Sequence, residues 1–204
     1  MWLLPSRGRP YLARRLLDSG FQTPGLLILD EDEAETYHHI EFQDGWEKLV
    51  LPRMYLGPKL NAAVKERPNE EWYGILNDDH LPKTLNWDVM LVECLLRQQM
   101  VWPQDNYGDR ISTPVFRGDL VRQLGWISPP GINHFYIDDV HELIAECLGC
   151  YRLECVTVSH EHVNAGRMPR DRTWAERPNN ETDRRAFLGW CKEEWPLIRK
   201  RLEF

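Results

Sequence analysis

Three polar clusters follow directly on short apolar runs. Ser6-Arg7-Gly8-Arg9 comes after residues 2–5, Asp30-Glu31-Asp32-Glu33 after residues 25–29, and Asn77-Asp78-Asp79-His80 after residues 72–76. Two arginines beside a glycine suit a phosphate. A guanidinium gives bidentate contacts, and a helix starting at Pro10 would turn its free N–H groups toward the anion. Asp78 and Asp79 repel each other if buried, so the pair calls for a divalent cation, and hard oxygen ligands favour Mg²⁺ or Mn²⁺. Taken singly each cluster has an ordinary explanation, the 30–33 run as a solvated turn with a helix cap and Ser-Arg-Gly-Arg as a polar loop. Their joint placement at strand ends points to a site, because ligands of an open parallel α/β sheet bind beyond the carboxyl ends of its strands.

A second set lies later in the chain. Ser159-His160-Glu161-His162 follows an apolar strand pattern, and alternation puts His160 and His162 on one side, where either could complete a carboxylate metal site. A surface histidine pair is the competing account. Asp138-Asp139 stands at a helix start and could supply a general base, with helix capping as the alternative. Neither the zinc-peptidase His pair, nor a Gly-Lys-Ser phosphate loop, nor a G-x-S-x-G elbow occurs, which disfavours Ser-His-Asp hydrolysis and Walker-type hydrolysis.

The elements that must position these groups alternate. Strands are expected at 2–5, 25–29, 47–51 and 72–76, with helices at 10–19, 58–67 and 86–99. Beyond residue 105 the pattern loosens. A strand at 111–116, a short helix at 118–124, a loop at 127–131, a helix capped by Asp138 or Asp139 and running to 148, and a strand at 153–158 are expected. Residues 164–180 read as a loop or flap and 182–202 as one closing helix. The fold class is α/β, a mostly parallel, doubly wound sheet. The chain forms a single domain, with residues 1–180 as its catalytic part and 181–204 as a helix packed on or extending it.

With 204 residues the chain can bury a full core. Its 42% hydrophobic and 28% charged residues are ordinary globular composition. Its formal charge of −7 excludes nucleic-acid binding through overall charge. The apolar runs are strand-sized, so no membrane span is expected, and Arg7 and Arg9 arrive too early for a signal peptide. Five cysteines, an odd set, suit reduced thiols and a cytoplasmic location, that of the host if the protein is viral. Cys147-Leu148-Gly149-Cys150 lacks the second pair that would make it a zinc site.

On these residues the chain resembles the GT-A glycosyltransferases, the nucleotide-diphospho-sugar transferase fold, over residues 2 to 175, and in particular small phage-type members. The resemblance implies that Pro5, Ser6, Arg7 and Arg9 cradle the nucleotide. It further implies that Asp30 or Asp32 contacts base or ribose, that Lys59 and Asn61 lie near the sugar diphosphate, and that Asp78 and Asp79 stand in the Asp-x-Asp metal motif. Here that motif reads Asn77-Asp78-Asp79, which leaves Asp79 as the main ligand of Mn²⁺ or Mg²⁺, with His160 or His162 completing the shell. The implied reaction is sugar transfer from a nucleotide-diphosphate sugar to an acceptor hydroxyl, with Asp138 or Asp139 deprotonating the acceptor.

The acceptor is suggested only by the tail. Residues 167–204 hold ten Lys and Arg against seven Asp and Glu, a balance of +3 that leaves −10 on the remainder. Together with Trp174, Trp190 and Trp195 this tail could contact phosphates and stack bases, making a hydroxymethylated base of phage DNA a candidate acceptor. The alternative is an amphipathic helix whose tryptophans pack on the sheet. Two further readings keep the fold, a sugar-phosphate nucleotidyltransferase and a non-catalytic nucleotide-sugar-binding protein.

Overall fold

Trp2 and Leu4 point to one face of the first strand and Leu3 to the other, all three fully buried, and this alternation divides the core into two layers. The computed structural model describes residues 1–106, 108 and 110–202. Its strands are β1 (Trp2–Ser6), β2 (Gly25–Asp30), β3 (Trp46–Leu51), β4 (Trp72–Ile75), β5 (His80–Pro82), β6 (Met100–Asp105), β7 (Val115–Arg117) and β8 (Arg152–His160). They form one sheet in the order β3-β2-β1-β4-β7-β6-β8-β5. The pairings give β1, β2, β3, β4, β6 and β8 one common direction, with β5 and β7 opposed to it.

Helices cover both faces. Ala13 and Leu16 of α1 (Pro10–Leu17) and Trp87 and Leu91 of α3 (Trp87–Cys94) pack against Trp2, Leu4, Leu27 and Leu29. The other face takes Leu60 and Ala63 of α2 (Leu56–Glu66), Leu120 of α4 (Gly118–Leu124) and Ile144 of α5 (Ile137–Leu148). Fully buried aliphatic side chains of this kind contribute about 1.5–3 kcal/mol each. Gly74 in β4 lies under the Trp2 ring, where any Cβ would collide with the indole.

Four expectations are corrected. The helix expected at 86–99 ends at Cys94. Its apolar period runs on through Leu96, but Leu96 is exposed, and Met100-Val101-Trp102 joins the sheet as β6 because burial between β7 and β8 outweighs local propensity. The strand expected at 111–116 shrinks to β7, preceded by Pro114, which cannot donate to a ladder. Neither Asp138 nor Asp139 caps α5. Tyr136 holds the cap position at φ 67°, and both carboxylates lie in the first turn. The single closing helix is two, α7 (Asn180–Glu193) and α8 (Trp195–Leu202), because Pro196 cannot continue a helix but is suited to a first turn. Trp190 and Ile198 from this pair are buried in the same core as α2 and α5. Residues 164–180 form an irregular flap holding one short helix, α6 (Arg172–Ala175).

Candidate functional site

The sheet order reverses between β1 and β4, and a cavity of about 910 Å³ opens at the carboxyl ends of these strands. Ser6, the last residue of β1, donates its hydroxyl to Asp78 at 2.7 Å and shares a 2.9 Å hydrogen bond with Tyr37. Arg9 meets the other Asp78 oxygen at 3.2 Å. Burial raises the Asp78 pKa to about 6 against the pull of Arg9. Asp78 thus belongs to a buried network that joins β1 to β4.

The two loop arginines are neutralised from within. Arg7 is bidentate on Asp32 at 2.7 and 3.0 Å, reaches Asp30 at 3.1 Å and donates to Glu176 of the flap at 3.0 Å. The fully buried Asp30 also takes Lys59 at 2.8 Å, so Asp30 and Asp32 hold cations and do not line the cavity. Pro5, Ser6, Arg7, Arg9, Lys59 and Asp78 do line it. Asn61, expected near the diphosphate, does not. It clamps the 127–128 backbone, accepting from the Ile127 and Ser128 N–H groups at 3.0 and 3.1 Å and donating to the Ser128 carbonyl at 2.7 Å.

Two further strand ends bring imidazoles to Asp79. β5 pairs with β8 so that His80 and His160 are direct partners, and Asp79, His80 and His160 present ligand atoms all within 4.8 Å of one another. His160 Nε2 lies 3.4 Å from Asp79 Oδ1, and its Nδ1 lies 3.3 Å from Asp105 Oδ2 at the end of β6. Burial alone would lower the His160 pKa, but Asp105 and Asp79 outweigh it and push it up to about 9. Burial opposes ionisation of Asp79 as well, yet His160, helped by Arg9, holds its pKa well below the usual carboxylate range. Burial, reinforced by the charge of His160, keeps His80 neutral.

The donor set fits a divalent cation. Asp79 Oδ1 is buried and accepts no hydrogen bond, and one carboxylate with two imidazoles is a ligand set for Mn²⁺ and its neighbours. His80 needs a particular tautomer, because its Nδ1 accepts the Asn77 N–H at 3.2 Å. That bond leaves the proton on Nε2, and the Nε2 lone pair is free for a metal only in the other tautomer, in which Nδ1 donates to Thr113 Oγ1, 3.1 Å away. His162 stands outside this group. β8 ends at His160, so strand alternation stops before His162, whose Nδ1 accepts the Asn164 N–H at 3.1 Å. Its ring still lies 5.0 Å from that of His160 and lines the cavity.

Asp138 and Asp139 also line the cavity. Both accept from Arg110, at 2.7 and 3.2 Å, and burial together with the Asp138 charge raises the Asp139 pKa. The flap supplies the roof. Asp171 caps α6 and holds Arg9, Glu176 holds Arg7 and Arg53, and the Arg177 guanidinium lies 3.4 Å over the Trp174 ring. Among the described residues Arg177 is the one cavity arginine with no carboxylate within ion-pair distance. Sequence reasoning missed His80, Asp105, Arg110 and Arg177. His80 adjoins the Asp79 motif and was the one with a visible signal. Cys147 and Cys150 belong to no metal-ligand cluster among the described residues.

No protein-family model matches this sequence, and no curated protein matches it. Solved structures do. The mannosyltransferase PcManGT from Pyrobaculum calidifontis, in complex with GDP-Man and Mn²⁺, aligns at TM-score 0.58 and 13% identity over 98% of this chain and 72% of that one. Glucosyl-3-phosphoglycerate synthase from Mycobacterium tuberculosis, in complex with Mn²⁺, UDP and phosphoglyceric acid, aligns at 0.58 and 13% over 88% and 79%. TarS 1-349 from S. aureus aligns at 0.51 and 11% over 78% of this chain and 56% of that one. At such identities the likeness establishes the fold: the sheet is that of GT-A nucleotide-diphospho-sugar transferases.

Proposed function

We propose that this GT-A-fold chain is a metal-dependent glycosyltransferase that moves a sugar from a nucleotide-diphosphate sugar to an acceptor hydroxyl. The observation that carries the reading is the convergence of three buried residues with ligand atoms, Asp79, His80 and His160, of which Asp79 and His160 line the cavity at the switch point. PcManGT and glucosyl-3-phosphoglycerate synthase, which share the fold, were solved with a divalent metal and a nucleotide. A cation held by Asp79 and His160, with His80 as third ligand, would supply positive charge against the leaving diphosphate.

The chain's own residues divide the remaining work. Arg177, a cavity cation with no carboxylate partner among the described residues, suits the diphosphate by charge-assisted hydrogen bonds. Arg7 and Arg9 line the same cavity, shape the loop and fasten the flap through Glu176 and Asp171. Asp139, or Asp138 beside it, accepts the acceptor hydroxyl proton, and burial with the Asp138 charge makes Asp139 a stronger base than an ordinary carboxylate.

A DNA base as acceptor has lost two of its three aromatic supports. Trp190 is buried and stacks on Trp195 at 5.7 Å, leaving Trp174 alone in the cavity wall, so no acceptor class is assigned on that ground. No described helix is long and apolar enough to cross a membrane.

The test is product analysis after incubation with Mn²⁺ and a panel of nucleotide sugars. Release of nucleoside diphosphate supports sugar transfer. Release of pyrophosphate from a nucleoside triphosphate with a sugar phosphate would establish the nucleotidyltransferase instead. Binding of nucleoside diphosphate with neither product would leave a binding protein.

A further inference from the structure

We propose that Asp105 is a positioning residue for His160: it fixes the imidazole so that Nε2 faces Asp79 and a cation shared with it, and so sets the cation affinity of the site. The inference rests on the metal reading above and goes beyond it to a residue outside the ligand set. β6 and β8 are parallel neighbours with Asp105 opposite Val158, which puts the end of β6 beside His160, two residues farther along β8.

The end of β6 grips His160 at both ring and backbone. The Asp105 carboxylate, nearly inaccessible at 4% side-chain exposure, stands 3.3 Å from Nδ1, while Asp79 stands 3.4 Å from Nε2. Asn106, the next residue, accepts the His160 backbone N–H at 2.8 Å and donates to Ser159 at 2.7 Å. Ser112 donates to Asp105 at 2.5 Å and holds that carboxylate in place. The His80 ring, edge-on at 4.6 Å, blocks rotation of the imidazole.

The chemistry follows from the donor inventory. A carboxylate only accepts, so the His160 tautomer compatible with Asp105 carries its proton on Nδ1 and turns the Nε2 lone pair toward Asp79. That lone pair faces the Asp79 carboxylate and is relieved by a cation between the two, whereas the other tautomer would leave a lone pair against Asp105 even with the cation bound. A carboxylate behind a ligating histidine also raises the basicity of the ligand, and losing such a partner costs about 10–100-fold in metal affinity.

The experiment is titration of the full chain with Mn²⁺ alone, read as loss of the free-ion paramagnetic resonance signal. Asp105→Ala should bind Mn²⁺ about 10–100-fold more weakly than wild type. Asp105→Asn, isosteric and still an acceptor for Nδ1–H, should fall between the two. In a His160→Ala background, adding Asp105→Ala should cost nothing further, because Asp105 acts through that ring. Wild-type affinity in Asp105→Asn and Asp105→Ala, or an additive loss in the double variant, overturns the proposal. If Asp105→Ala does not fold, the Asn variant decides alone. A wild-type chain that takes up no Mn²⁺ overturns the metal reading itself, an outcome distinct from unchanged variants of a chain that binds.

Discussion

Arg9 and Asp171, 162 residues apart, are joined by two contacts, Nε to Oδ2 at 2.6 Å and Nη2 to Oδ1 at 3.0 Å. The third nitrogen of the same guanidinium reaches Asp78 at 3.2 Å. One side chain therefore ties the flap to the point where the sheet order reverses. Asp171→Ala should free the flap and destabilise the protein by roughly 1–3 kcal/mol, since Arg9 keeps only Asp78. Limited proteolysis checks this, with new cleavage expected between residues 164 and 180. A variant as resistant as wild type would show that the flap is held by Glu176 and Thr173 instead.

Among the described residues no carboxylate pairs with Arg177, so it has none to release before it meets an anion, unlike Arg7 and Arg9. Arg177→Ala should lower donor affinity by about 10–100-fold, the equivalent of one or two charge-assisted hydrogen bonds, and leave stability within about 0.5 kcal/mol. Calorimetric binding of nucleoside diphosphate in the presence of Mn²⁺ measures the first quantity and urea unfolding the second. Unchanged binding would remove Arg177 from the donor site.

Asp138 and Asp139 separate by chemistry rather than binding. Substituting the general base with Asn should reduce kcat about 10²–10⁴-fold while donor affinity stays unchanged. The other carboxylate, which shares Arg110, should show a smaller effect. Steady-state kinetics on the two single variants assign the role, and equal activity of both with wild type would eliminate this pair.

The metal-free protein should lose stability with rising pH. The folded His160 pKa of about 9 lies above the ordinary 6.5, so the unfolded chain gives up this proton first. The stabilisation is complete below about pH 6.5 and lost as pH rises through 9. Over the same window Mn²⁺ should bind more tightly, because the cation competes with that proton. Urea midpoints measured from pH 6 to 10 should fall in wild type and stay flatter in His160→Gln. Parallel curves would show that another group titrates.

Much of this site is written where apolar runs stop abruptly. Leu29 to Asp30 and Leu76 to Asn77 mark strand ends in the sequence because a buried strand has no other reason to meet consecutive charges. Asp105 carries no such mark, since β6 directly follows an expected helix and residues 100–105 are assigned to no element by pattern. His160 and His162 were equivalent by alternation, and only the end of β8 tells them apart. The partners of Arg7 and Arg9 were beyond reach of local pattern, because Glu176 and Asp171 arrive from the flap. Asn61 shows the limit for a lone polar residue on a helix, which faces a cavity or a neighbouring loop according to packing alone.

The central claim is tested most directly by thermal unfolding with nucleoside diphosphates, with and without Mn²⁺, in wild type and Asp79→Ala. A cognate nucleotide at about 100 times its dissociation constant should add about 2.7 kcal/mol, only with Mn²⁺ and only in wild type. No stabilisation by any nucleotide in the presence of Mn²⁺ would contradict the donor site, and stabilisation that persists in Asp79→Ala would contradict its metal.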